Sequence, residues 1–378
     1  MERIDIFSAE EVISHIFVEE GIGSLETCLE PYGNVYVVMD SNVAMECPAA
    51  YELSQMLNRK GIPGMLLEAS ETSKDISTVM EICRWLLENG ADRDALVLAI
   101  GGGITTDMVG FAASLYKRGV RFAYVPTTLL AQVDAAIGGK TGVNFEGYKN
   151  MLGAIRQPEF TYICPQVLES LPMQDFLSGA AEMLKTFMIE DNGNYALAVQ
   201  LLKALADEFI ASRAEGEIYS YSMEKWPEIL SQRLSGLTPL IAAAARVKAG
   251  IVSRDQYESG ERRKLNLGHT FAHAIESLSH QRRNDIDHGH AVALGMVYAA
   301  RLAEKLEMAE PGFAQDLEKT LESCLLLVMN PYGVEEMADA MSKDKKAEGG
   351  KVHFILPRKI GDVVVRDLTV EEAVTLLS

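Results

Sequence analysis

The sequence predicts an α/β amino-terminal half followed by a mostly α-helical carboxyl-terminal half. Three observations carry this. Short apolar, β-branched runs at 34–43 (NVYVVMDSNV), 95–103 (ALVLAIGGG) and 120–128 (VRFAYVPTT) read as buried strands. Between the first two, EICRWLLENGAD is amphipathic and stops at Gly90, as a crossover helix does. Beyond about residue 168, LSGAAEMLKTFMI, LTPLIAAAARVKAGIV and AVALGMVYAARLAEKL have helical period, and only KVHFILPRKIGDVVVRDLT near the end looks strand-like. Strands alternating with helices imply parallel βαβ units, open to ligands at the carboxyl ends of the strands.

The first strand ends in Asp40. A carboxylate there can accept hydrogen bonds from ribose hydroxyls, and a helix cap by Asp40 or Asn42 competes with that reading. The second strand runs into GGGITTDMVGF, where backbone amides ahead of a helix suit a pyrophosphate, although the spacing is not GxGxxG and a plain tight turn competes. After the third strand, AAIGGKTGVNFEGYKN at 135–150 reads as a glycine-rich loop holding Lys140 and Lys149. Its GGKT resembles the end of a phosphate-binding P-loop, but that motif needs glycine at 134, where Asp134 stands. What survives is an anion site, with Arg118 just upstream.

The histidines are concentrated. Five of the seven, His269, His273, His280, His288 and His290, fall within 269–290. His269 and His273 are four apart and share a helix face, and His288 lies just beyond. Neutral imidazoles bind Zn²⁺, and a carboxylate commonly completes such a site. HExxH is absent, which argues against a hydrolytic zincin, and Glu182, set among apolar residues in GAAEMLKT, is the candidate carboxylate. Lys248, Arg262, Arg263 and Lys264, with Lys343, Lys345 and Lys346 of MSKDKK, supply positive charge for an anionic ligand.

The chain has 378 residues, 48% hydrophobic and 24% charged, with a net charge of −19 and a pI near 4.9. That length predicts two domains. That acidity argues against nucleic acid and anionic membrane as partners. Five scattered cysteines without a CxxC pair fit a reducing compartment. No signal-type apolar core and no apolar run of membrane length is expected, which predicts a cytoplasmic protein.

Taken in order, GGGITTDMVGF, RFAYVPTTLLAQVDAAIGGKTGVN, YKNMLGA, SGAAEMLK, LNLGHTFAHAIE, HGHAV and KDKK cover nearly the whole chain and resemble the 3-dehydroquinate synthase family of sugar-phosphate cyclases. The resemblance implies a Rossmann-like NAD-binding domain over 1–168, a mostly α-helical metal- and substrate-binding domain over 169–378, and an active site between them. It makes Glu182, His269 and His288 the ligands of Zn²⁺ or Co²⁺, displacing the pairing of His269 with His273. Asn266, His273 and Lys345 or Lys346 of KDKK are implied to face the substrate phosphate. Lys140, Asn150, Lys248 and Arg262 become substrate contacts, with Asp134, Lys149 and Lys185 lining the same pocket. Arg118 is implied to reach the partner site of a homodimer. Asp40, Asn42, Glu71, Lys74, Gly102, Gly103, Asp107, Thr127, Thr128 and Ser170 fall where the family contacts NAD.

The implied reaction starts with hydride transfer to NAD from the C5 alcohol of 3-deoxy-D-arabino-heptulosonate 7-phosphate. Phosphate leaves, the hydride returns, and ring opening and an aldol closure give 3-dehydroquinate. The sequence departs from the family pattern at Thr106 and Ala272, where glycine is usual, and at His290, where glutamate is usual. These departures bear on rate or metal preference. Competing readings are another sugar-phosphate cyclase, an NAD- and metal-dependent polyol dehydrogenase, and a non-catalytic descendant.

Overall fold

The computed structural model describes residues 1–212, 225–283, 286–343 and 350–378. Eleven strands occur among them: β1 (Glu2–Ser8), β2 (Glu11–Val18), β3 (Val35–Asp40), β4 (Gly64–Leu67), β5 (Leu96–Gly101), β6 (Arg121–Pro126), β7 (Lys140–Phe145), β8 (Tyr148–Ile155), β9 (Phe160–Ile163), β10 (Val352–Lys359) and β11 (Asp362–Leu368). The chain divides into two compact units, Met1–Phe176 with Met223–Tyr257, and Leu177–Ser222 with Glu258–Ser378. This division is discontinuous, where the sequence suggests one cut at 168. The helix Leu234–Arg254 returns to the first unit because it packs against β1.

The first unit is built on a seven-stranded sheet in the order β1-β2-β9-β6-β5-β3-β4. All pairs are parallel except the β1–β2 hairpin. Side chains alternate across β3. Val35, Val37 and Met39 join Leu53 and Leu57 of helix Pro48–Arg59 on one face. Tyr36 and Val38 join Val79, Ile82 and Leu86 of helix Ile76–Glu88 on the other. Both faces are therefore covered, which is why these strands read as unbroken apolar runs. Each such side chain removed from water contributes about 1.5–3 kcal/mol. Helix Ile76–Glu88 begins where Asp75 accepts a hydrogen bond from the Thr78 N–H at 3.0 Å, and the chain turns away at Gly90 with φ +76°.

Two features depart from the sequence reading. Residues 140–155 are a β-hairpin rather than a glycine-rich loop, with Gly142 opposite Gly153. A Cβ on Gly153 would lie 2.3 Å from the Thr141 carbonyl oxygen, so glycine here permits backbone contact and not mobility. Helix Leu234–Arg254 is long and apolar enough to cross a membrane, contrary to expectation, but 67% of its apolar window is buried inside the protein. Core packing accounts for that composition.

The second unit contains helices Asn194–Ala211, His269–Arg282, His288–Lys305, Phe313–Ser323, Val334–Lys343 and Val370–Leu377, with the β10–β11 hairpin. The boundary itself falls inside helix Met173–Ile189. Phe271 stacks on Tyr298 at 5.4 Å and meets Phe354 of β10 at 5.6 Å, tying both histidine-bearing helices to the hairpin.

Candidate functional site

Three helices of the second unit converge by backbone contact. Gly289 follows His288 at the start of its helix, where a Cβ would lie 2.2 Å from Ser178 Cα. Its N–H donates to Ser178 Oγ at 3.1 Å, and Ser178 lies one turn before Glu182. Gly268, at φ +78°, starts helix His269–Arg282, and a Cβ on Gly295 would lie 2.1 Å from the Gly268 carbonyl oxygen. Asp287 caps the third helix, accepting from the His290 N–H at 3.0 Å. Only glycines allow approaches this close.

Convergence brings Glu182, His269 and His288 together, with one ligand atom from each lying within 4.8 Å of the others. His288 Nε2 is 3.3 Å from Glu182 Oε1, and His269 Nε2 is 3.7 Å from the same oxygen. Glu182 is 0% exposed. Its charge is met by Lys185, paired with Oε2. Burial disfavours that charge, but Lys185 and then His288 outweigh it and hold the carboxyl well below the usual carboxylate range. Burial likewise opposes an imidazolium at His288, yet Glu182 and Glu276 raise its pKa to about 10. The carboxylates thus draw positive charge to one spot. Two imidazoles and a buried carboxylate fit a divalent cation with a coordination position left for a ligand.

His273 is not in this donor set. Its ring lies 5.5 Å from that of His269 at nearly a right angle. Asn266 donates through Nδ2 to Glu258 Oε1 at 2.5 Å. Arg262 and Lys185 are fully buried. His280 is exposed. The three departures are all accommodated. His290 Nδ1 lies 2.6 Å from Asp287 Oδ2, Ala272 is buried, and the Thr106 hydroxyl donates back to the Gly103 carbonyl at 3.0 Å. Thr106 is therefore satisfied within its own helix. Lys345 and Lys346 lie outside the described residues.

In the first unit, the loop after β5 exposes a helix start, with Gly102 as N-cap of Gly103–Leu115. A Cβ on Gly102 would lie 2.9 Å from Thr128 Cγ2. Thr128 Oγ1 accepts from the Ala131 N–H at 3.2 Å, and Thr127 Oγ1 is buried without a partner among the described residues. Asp40 does cap its helix, accepting from the Asn42 N–H at 2.9 Å, and it also accepts from Thr105 at 3.3 Å. Burial pushes the Asp40 carboxyl up. Lys74 bridges Asp107 at 2.6 Å and Asn150 at 2.7 Å. Burial raises the Asp107 pKa, with Lys74 opposing. Lys248 pairs with the Asp134 carboxylate and donates to its carbonyl at 2.6 Å. Lys140 and Lys149 are exposed on β7 and β8. Arg118 is exposed in a left-handed turn at φ +70°, and Ser170 ends a 3₁₀ turn.

Sequence reasoning missed Asn144 and Glu276. Asn144 donates to Glu71 Oε1 at 2.9 Å and accepts the Asn150 N–H at 2.9 Å, joining Glu71 to the Lys74 cluster. Glu276 lies 3.5 Å from His288 Nδ1. Its position seven residues after His269, on the same helix face, was the available signal.

Comparisons with known proteins identify the family. Residues 64–178 match the family described as 3-dehydroquinate synthase N-terminal, and 179–347 match 3-dehydroquinate synthase C-terminal. A 3-dehydroquinate synthase of Alkaliphilus metalliredigens is 36% identical over 91% of this chain and 89% of its own length. One from Acidithiobacillus ferrooxidans is 39% identical over 91% and 87%. Among solved structures, 2-epi-5-epi-valiolone synthase from Streptomyces hygroscopicus subsp. jinggangensis, with NAD+ and Zn2+ bound, is 28% identical. It superposes with a TM-score of 0.80 over 97% of this chain and 96% of that one. An iron-containing alcohol dehydrogenase from Thermotoga maritima, 14% identical with a TM-score of 0.61 over 100% and 98%, shares the fold alone. The expected class, a parallel α/β portion with a helical portion, is observed, and the chain belongs to the 3-dehydroquinate synthase family.

Proposed function

We propose that this chain converts 3-deoxy-D-arabino-heptulosonate 7-phosphate to 3-dehydroquinate and phosphate, as a carbon–oxygen lyase using NAD and Zn²⁺ or Co²⁺. One observation carries the reading: Glu182, His269 and His288 form a metal-competent donor set in a chain that matches this family over most of its length. A cation held there supplies Lewis acidity towards substrate hydroxyls, and NAD supplies a hydride acceptor that is regenerated within the cycle.

The chain's own residues bind and orient. Asp40 offers carboxylate oxygens to ribose hydroxyls, and the amides beginning helix Gly103–Leu115 offer donors to a pyrophosphate. Asn42, Glu71, Lys74, Asp107, Thr127, Thr128 and Ser170 complete the NAD contacts in this reading. Lys140, Lys149, Asn150, Asp134 and Lys248 meet the substrate. Lys185 and Arg262 add buried positive charge, and Asn266, His273 and Lys345 meet the phosphate, whose own oxygens can take the proton lost in elimination. A homodimer, in which Arg118 serves the partner's phosphate site, and a cytoplasmic location belong to the same reading. The exposure of Arg118 and five free cysteines support them.

The test is phosphate release from the heptulosonate substrate, with and without EDTA and NAD, on wild type and His269→Ala. Release that needs NAD, is abolished by EDTA and fails in the variant, without net NADH, is expected. NADH accumulation would establish a dehydrogenase instead. The valiolone synthase likeness favours a second reading, a cyclase acting on a sugar phosphate lacking the carboxylate. Turnover of sedoheptulose 7-phosphate alone would select it.

A further inference from the structure

The His288 ring lies between two carboxylates. Nε2 faces Glu182 Oε1 at 3.3 Å, and Nδ1 faces Glu276 Oε1 at 3.5 Å. The other imidazole is held differently, with His269 Nδ1 lying 3.2 Å from the Leu267 carbonyl oxygen. Glu276 stands two turns after His269, and its side chain is 14% exposed. A carboxylate so far removed from water is costly without a partner. An imidazole that gives its Nδ1 proton to a carboxylate is fixed in orientation and tautomer, leaving the Nε2 lone pair for a cation.

We propose that Glu276 is the positioning residue of this centre. It holds His288 with Nδ1 protonated and Nε2 aimed at the cation, so that the two imidazole ligands are unequal. His288 is oriented by a charged side chain, and His269 by a neutral carbonyl of its own chain turn. Loss of the Glu276 charge therefore acts on one ligand, through one ring. The proposal rests on the metal reading above.

The experiment measures the zinc dissociation constant of metal-stripped full-length protein by competition with a chelator of known affinity. Glu276→Gln weakens zinc binding by about 10–100-fold, the usual effect of removing an outer partner of a metal-bound histidine. Glu276→Asp, which keeps the charge on a shorter arm, loses less. In a His288→Ala background Glu276→Gln adds no further loss, whereas in a His269→Ala background it keeps its full effect. Melting in EDTA reports whether each variant folds, and the Asp variant carries the test if the Gln variant does not. Wild-type affinity in Glu276→Gln, or an equal loss in both backgrounds, overturns the proposal. A wild type that binds no zinc rejects the metal reading itself.

Discussion

Replacing Gly289 by alanine tests whether backbone contact sets the donor geometry. The added methyl would lie 2.2 Å from Ser178 Cα and 2.8 Å from its carbonyl oxygen, where ordinary contact begins at 3.4 Å. The two helices must therefore part by 3.4 − 2.2 = 1.2 Å. His288 adjoins Gly289, and Glu182 is one turn from Ser178, so the parting falls between two ligands. Sites of this kind tolerate about 0.5 Å. Overpacking of this sort costs about 1–3 kcal/mol, which is about 2–12 °C in melting temperature for a unit of this size. Melting in EDTA and zinc competition are the assays. Gly333→Ala is the control, since nothing lies within 4 Å of a Cβ there, and it should change stability by less than about 0.5 kcal/mol. If Gly289→Ala melts with wild type and binds zinc equally well, the argument from close approach is wrong.

Two further outcomes follow from buried and paired carboxylates. Burial raises the Asp40 pKa, so its ionisation costs stability as pH rises through the unfolded value near about 4. Asp40→Asn should then leave the ligand-free melting temperature at pH 7 unchanged or higher while weakening NAD binding; a lower melting temperature with unchanged NAD affinity contradicts both roles. Tyr162 donates to Glu19 at 2.6 Å and is the largest cause of that carboxyl's lowered pKa. Its contribution is present above the unfolded pKa, near about 4.3, and is lost as pH falls through the lowered value. Tyr162→Phe should cost about 0.5–1.5 kcal/mol at neutral pH, a gap that narrows in acid, and denaturant titrations at pH 7 and pH 3.5 showing the same gap would remove the linkage.

The parallel strands β3, β5 and β6 were legible because burial on both faces leaves an uninterrupted apolar run. The β1–β2 hairpin was not read: RIDIF alternates and buries Ile4 and Ile6, but VISHIF does not alternate, since Ser14 shares the buried side with Ile16. Charges on the exposed face hid the period. The β7–β8 hairpin was mistaken for a loop because glycine signals both freedom and tight contact, and only the partner strand tells them apart. Glu182 was legible as an acid stranded among apolar residues. Helical spacing also pointed to His273, since i and i+4 share a face, but spacing within one helix is blind to a third helix arriving with His288. Glu276 and Asn144 escaped for the same reason: each matters through residues distant in sequence or through a turn.

The contacts of Gly289 with Ser178 and of Gly295 with Gly268 place main chain directly on main chain. Spacing among the three ligand-bearing segments is thus insulated from drift in the surrounding Leu, Val and Met side chains, which can be exchanged during divergence without detuning the cation.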